Sequence, residues 1–193
     1  MENLCQQGKA VPNLDFVTLD GEQKNLSDFH GKWVFLLFRR YLGCPICRMD
    51  VDRLTLDKAK PGQGDLFLNR GLPDDVEVII VIQSGENVLR EALEGQLPGG
   101  MTAVPDPNGV IFKRFGIGKA GLTQYAGPRV MLQVARAIRE GYRRGRREGE
   151  ERQLPADLII DPKGIIRFVH LAADISDTTS LEELFRIKER VSS

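Results

Sequence analysis

The chain of 193 residues predicts an α/β fold, a central mixed sheet with helices on both faces, and three observations carry that expectation. Residues 33–38 are apolar on successive positions instead of alternating, which marks a strand buried on both faces, and the β-branched composition of residues 76–82 marks a second buried strand. Each is followed by a stretch with helical spacing, and strand, helix, strand, helix implies parallel pairing through right-handed crossovers. Residues 158–160 and 165–169 are two more strands, joined by Asp161, Pro162, Lys163 and Gly164, whose proline and glycine suit a tight antiparallel turn.

The remaining elements follow in order. Residues 1–12 read as a flexible entry, and residues 15–19 and 22–25 form a hairpin around Asp20-Gly21. A short turn over 26–30 leads to the first long strand. After it, Cys47, Val51, Leu54 and Lys58 keep helical spacing until Pro61-Gly62, and Leu66, Phe67 and Leu68 anchor the loop that follows. Ser84 is placed to cap a helix running to about Glu94, with Val88, Leu89 and Ala92 inward. A short strand over 102–104, a brief helix over 110–115 and a loop over 116–127 precede Pro128, which opens a helix. There Val130, Val134, Ile138 and Tyr142 recur every four residues and predict one apolar stripe. Ser180 with Glu183 reads as a capping box for a last amphipathic helix through Leu181, Leu184, Phe185 and Lys188. The size suits a single domain, residues 1–193, with residues 119–152 as an inserted helical element.

Lysine plus arginine and aspartate plus glutamate number 27 each, so the net field steers nothing toward nucleic acid or anionic membrane. Arg143, Arg144, Arg146 and Arg147 form a basic run, but cations complement a helix C-terminus and Glu148, Glu150 and Glu151 follow at once. Without a recognised module or interleaved aromatics, no nucleic-acid partner is expected. The helix before this run could form a lid or a homodimer contact. No apolar run approaches the roughly 20 residues that span a bilayer, so no membrane partner is expected and a cytoplasmic location is.

The chemistry is concentrated at Cys44-Pro45-Ile46-Cys47, which places two thiols at a helix start behind a buried strand. Free amides and partial positive charge there favour a thiolate, the nucleophilic form, and Cys-x-x-Cys thiols titrate at roughly 3.5 to 7.5 against ~8.5 for free cysteine. Cys44 reads as N-cap and attacker, Pro45 as the first helical residue, and Cys47, one turn in, as resolver. Arg39, Arg40 and Arg48 flank the pair, and either favour the anion further or form a solvated basic patch. Cys5 reads as an incidental thiol in a loosely held end. Zinc would need four ligands, and beyond the pair only Cys5, His30 and His170 are on offer, at spacings unlike any zinc module. No metal and no cofactor are expected.

Residues 8–16, 26–29, 31–38, 106–116 and 158–169, with the Cys44 region, together resemble the alkyl hydroperoxide reductase/thiol-specific antioxidant (AhpC/TSA) family on a thioredoxin-like fold. Residues 40–48, from Arg40 and Tyr41 through Gly43 to Arg48, are similar to its peroxiredoxin-like branch. The resemblance implies an antioxidant-type oxidoreductase cycling a Cys44–Cys47 disulfide. Its substrate would be a hydroperoxide or a protein or small-molecule disulfide, and an external thiol would reduce it. Standard members place a proline seven residues and a threonine or serine three residues before the nucleophile, and an arginine at the start of the later strand. Here those places hold Leu37, Tyr41 and Pro155, so the Tyr41 hydroxyl and Arg39, Arg40 or Arg48 would have to polarise a peroxide. Pro155 matches instead the cis-proline with which thioredoxins shape a polypeptide groove, so a cis Leu154–Pro155 bond is expected, with Tyr41, Arg40 and Arg48 as further support for the substrate groove. The alternative function is a non-catalytic scaffold that binds partners through the inserted helix.

Overall fold

In the computed structural model, which describes residues 5–54, 72–93 and 95–192, the central sheet has five strands. They are β3 (Trp33–Arg39), β4 (Val76–Ile82), β5 (Met101–Pro105), β6 (Ala156–Ile160) and β7 (Ile166–Leu171), in the spatial order β5-β4-β3-β6-β7. The β3–β4 and β4–β5 pairs are parallel, and β3–β6 and β6–β7 antiparallel. The N-terminal hairpin forms a separate two-stranded sheet from β1 (Asp15–Val17) and β2 (Gln23–Asn25). Both parallel crossovers, through α1 (Pro45–Arg53) and α2 (Glu86–Leu93), pack on one face with α6 (Leu181–Ser192), where Phe35, Leu37, Val51, Leu89 and Leu184 are buried together. The other face is covered by the N-terminal segment and α3 (Val110–Arg114), with Leu36 and Phe38 against Phe112 and Phe115. Beyond Trp33 and Glu77 at the strand starts, β3 and β4 are buried on both faces, which is why neither strand alternates.

Several expectations are corrected by packing. From Cys5 onward the entry segment is held down, not loose: Gly8 and Val11 donate their amides to the carbonyls of Ile166 and Gly164. Cys5 is accordingly buried, its thiol donating to the Phe115 carbonyl at 3.0 Å, and burial pushes it up to about 11. Helix α1 closes at Arg53, where the Leu54 amide turns back to the Val51 carbonyl. Lys58, Pro61, Gly62 and the anchor at residues 66–68 lie outside the described residues, as does Glu94. The loop before Pro128 contains a short helix, α4 (Leu122–Ala126).

Helix α5 (Pro128–Arg139) forms where expected and turns Val130 and Val134 inward together with Ala137, but Ile138 is 57% exposed. A strict four-residue spacing overshoots the 3.6-residue turn by about 40° per step, so Ile138 has rotated off the buried line that Val130 starts. Tyr142 lies beyond the helix and still packs on the same cluster. The Leu154–Pro155 bond is trans. A backbone already extended at Leu154 can enter β6 without the isomer, which removes this argument for a thioredoxin-type polypeptide groove.

Candidate active site

The site is assembled at the carboxyl end of β3. Cys44 is the N-cap of α1 with extended backbone (φ −86°, ψ 124°), and Pro45 takes the first helical position. The amides of the first turn therefore face its sulfur, while Cys47 lies one turn along the same helix. Both thiols are free and buried, Cys44 at 8% exposure and Cys47 at 5%. A hydrogen bond from the Cys47 thiol pulls Cys44 down to about 6 against the effect of burial, with the Arg40 cation and the amides of Cys47 and Ile46 adding to it. Burial, and then the neighbouring Cys44 sulfur, push Cys47 well above the ordinary thiol range. One sulfur is thus poised as an anion and the other as its proton-bearing neighbour.

The three flanking arginines have three different fates. Arg40, 2% exposed, directs Nη1 to both sulfurs, 3.4 Å from Cys44 and 3.6 Å from Cys47. Its Nη2 donates to the Glu151 carbonyl, and its guanidinium stands 5.4 Å from the Tyr41 ring centroid. Arg39 lines a recess beside Cys47 but turns its guanidinium to carboxylates. It pairs with Asp50 of α1 and Asp157 of β6, at 2.5 Å each. Arg48 makes an i,i+4 pair with Asp52 at 2.7 Å, and no hydrogen bond joins it to either sulfur among the described residues. Neither is placed to hold the anion.

The Tyr41 ring is 4% exposed and its hydroxyl faces Glu151 Oε1 at 3.5 Å, with no hydrogen bond to a cysteine; burial pushes the phenol up to about 12. Leu37 is fully buried in the centre of β3 and lines no part of the site. Pro155 does belong to it: with Arg39, Arg40, Ile46, Asp50, Ile175 and Thr178 it lines a small recess beside Cys47.

Residues 118–154 cover the pair. Their ends are tied together, the Ala120 amide donating to Arg152 O at 2.6 Å and the Leu154 amide to Gly118 O at 3.1 Å. From that base, Ala120, just before α4, and Val130 and Ala137 of α5 pack with Ile46, Met49 and the cysteines. The segment after α5 crosses the loop just before Cys44, where the Gly145 amide donates to Gly43 O at 2.9 Å. A Cβ at position 43 would fall on the carbonyl oxygen of Arg146. Glycine alone permits this approach of two backbones.

The substitution Gly43→Ala is therefore expected to lift the crossing segment, lower stability by about 1–3 kcal/mol, and speed alkylation of Cys44 several-fold. Thermal unfolding with timed iodoacetamide labelling checks both. An unchanged melt and an unchanged labelling rate would show that the crossing does not rest on residue 43.

Two contributors escape a reading of the sequence. Ser84 caps no helix; its hydroxyl accepts the Leu42 amide at 2.9 Å and so steadies the cysteine loop from the end of β4. Glu151 holds Arg40 through its carbonyl and faces Tyr41 through its side chain, and nothing local to residue 151 announces it. The available signal was the pair of glycines, Gly43 beside Cys44 and Gly145 amid arginines, since each permits close backbone approach.

Solved structures share this architecture at low identity. The yeast mitochondrial 1-Cys peroxiredoxin aligns with a TM-score of 0.58 and 16% identity, over 97% of this chain and 76% of that one. A peroxiredoxin-like protein from Aquifex aeolicus gives 0.56 and 15%, over 95% and 86%. A protein assigned as the thiol:disulfide interchange protein DsbE of Chlorobium tepidum gives 0.56 and 16%, over 97% and 99%. No curated protein sequence is matched. The family model of AhpC/TSA matches residues 7–169, from the N-terminal segment to the last strand, and the chain belongs to that family.

Proposed function

We propose that the protein is a thiol redox enzyme in which Cys44 is the nucleophile and Cys47 the resolver, and that its oxidant is a small molecule, a hydroperoxide first of all. The observation that carries this reading is the Arg40 guanidinium at 3.4 Å from a Cys44 sulfur drawn down to about 6. Thiolate Cys44 attacks one peroxide oxygen, the O–O bond breaks, and a proton accompanies the departing hydroxide or alkoxide. Cys47 then displaces hydroxide from the sulfenic acid, and the disulfide forms with loss of water. Arg40 is the cation present at the sulfur, standing in for the arginine that Pro155 replaces. The cover over Cys44 and the trans Leu154–Pro155 bond both argue against a long extended polypeptide as the oxidant.

Exchange with a small disulfide is the second reading. It is favoured by Tyr41, whose hydroxyl turns to Glu151 and leaves the sulfur without the hydroxyl partner that a peroxidase of standard pattern would have. The test is consumption of hydrogen peroxide, and separately reduction of a small disulfide, by wild type, Cys44→Ser and Cys47→Ser. Cys44→Ser should lose all turnover in whichever assay the wild type supports. Without added thiol, Cys47→Ser should be oxidised once and stop, with no intramolecular disulfide formed. Full activity in Cys44→Ser would remove the assignment.

A further inference from the structure

The crossing segment that seals Cys44 is also the most basic stretch of the chain, and its charges are unevenly neutralised. Arg143, Arg144, Arg146 and Arg147 are all exposed. Arg144 and Arg147 face Glu151, at 2.8 and 3.7 Å. Two of the other acids nearby are otherwise engaged, Glu150 with Lys119 at 2.6 Å, and Glu140 with Arg136 at 3.0 Å and Arg53 at 3.4 Å, while Glu148 keeps a buried Oε2 without a hydrogen-bond partner among the described residues. Glu148 is half-buried. Neither Arg143 nor Arg146 is joined to a carboxylate among the described residues. Because the whole chain balances at 27 charges of each sign, this is a local field, and it sits where Arg146 meets Gly43, one residue before Cys44.

We infer that Arg143 and Arg146 select an anionic low-molecular-weight thiol as the reductant of the oxidised enzyme. The inference rests on the redox reading above and deepens it by naming the class of donor. A thiolate carrying a carboxylate or sulfonate arrives with two negative charges, and exposed guanidinium groups within a Debye length of roughly 8–10 Å raise its local concentration at the disulfide. Its sulfur bonds to Cys44 as the Cys44–Cys47 bond breaks, and Cys47 leaves as a thiolate that takes a proton from water. A second thiolate then forms the donor disulfide and frees Cys44. Two thiols are oxidised for each enzyme disulfide reduced.

The test uses the disulfide form, prepared with diamide, and three thiols of nearly equal size: 2-mercaptoethanesulfonate, 2-mercaptoethanol and cysteamine. Rates are read by acid quench and alkylation mass spectrometry, expressed per thiolate, and divided by the rate of each thiol with a small uncharged disulfide. The anionic thiol is expected to exceed the neutral one by about tenfold, with the cationic thiol slowest. Salt of about 0.5 M should bring the three together, and this arm needs no substitution. In Arg143→Glu/Arg146→Glu the order of the anionic and cationic thiols should invert. Equal normalised rates at low salt, or an order that survives charge reversal in a folded variant, would overturn the inference alone. Failure of the Cys44–Cys47 disulfide to form would overturn the redox reading along with it.

Discussion

Arg39→Met is expected to be the most destabilising single substitution near the site, by about 3–5 kcal/mol. Arg39 is 1% exposed and Asp157 fully buried, so removal of the guanidinium leaves a carboxylate in the interior with, among the described residues, only the Thr179 amide, at 2.8 Å, as a hydrogen-bond donor. At about 2–4 °C per kcal/mol for a chain of this size, the melting temperature should fall by roughly 10 °C. The cation also joins three elements, β3 through its own backbone, α1 through Asp50 and β6 through Asp157. Its loss therefore loosens the base of the cysteine helix as well. Arg39→Met/Asp157→Asn should recover most of the stability, because what costs most is the unpaired charge and not the absence of the pair. A double-mutant cycle on thermal or urea unfolding measures the coupling. Additive losses, with the double variant worse than either single one, would show that the ion pair is not the source of the effect.

The division of labour between Arg39 and Arg40 shows where a reading of the sequence stops. Local rules suffice for elements whose signal is local. β3 and β4 are legible because burial on both faces demands unbroken apolar runs, and the cap-proline pair Cys44-Pro45 is legible because helix ends have their own chemistry. Which of Arg39, Arg40 and Arg48 would touch the sulfurs is not a local question. It depends on where Asp157, 118 positions away from Arg39, is brought by strand order, and on Glu151 arriving through the covering segment. The same holds for Ser84, whose helix-capping signal yields to the Leu42 amide once β3 and β4 lie side by side. Ile138 differs for another reason, since apolar residues spaced at four drift off a helix face that repeats at 3.6. The burial of Cys5 is not legible locally, because the tether of the entry segment, from Gly8 and Val11 to the last hairpin, is a long-range contact.

Arg40→Met should produce a crossing of pH profiles that a general structural defect cannot mimic. In wild type, alkylation of Cys44 is expected to rise with a midpoint of about 6 and to be flat above neutrality. Without the cation 3.4 Å from its sulfur, the thiolate loses one of its stabilising partners, and a charge at this range is worth about 1–3 units. The midpoint moves up, so near pH 6 labelling should fall by about tenfold. Above about pH 9 the sign reverses, because both proteins are then ionised and the thiolate of higher basicity is the better nucleophile, by roughly threefold per unit. Stability follows the same logic. A thiol whose folded value lies below its unfolded value of ~8.5 stabilises the reduced protein above the unfolded value. That contribution disappears as pH falls through about 6. Arg40→Met should therefore narrow the difference in unfolding free energy between mildly acidic and alkaline buffer. Profiles measured by timed iodoacetamide labelling decide the matter: a variant slower at every pH indicates a distorted or occluded site, and an unmoved midpoint means that Arg40 does not hold the charge on Cys44.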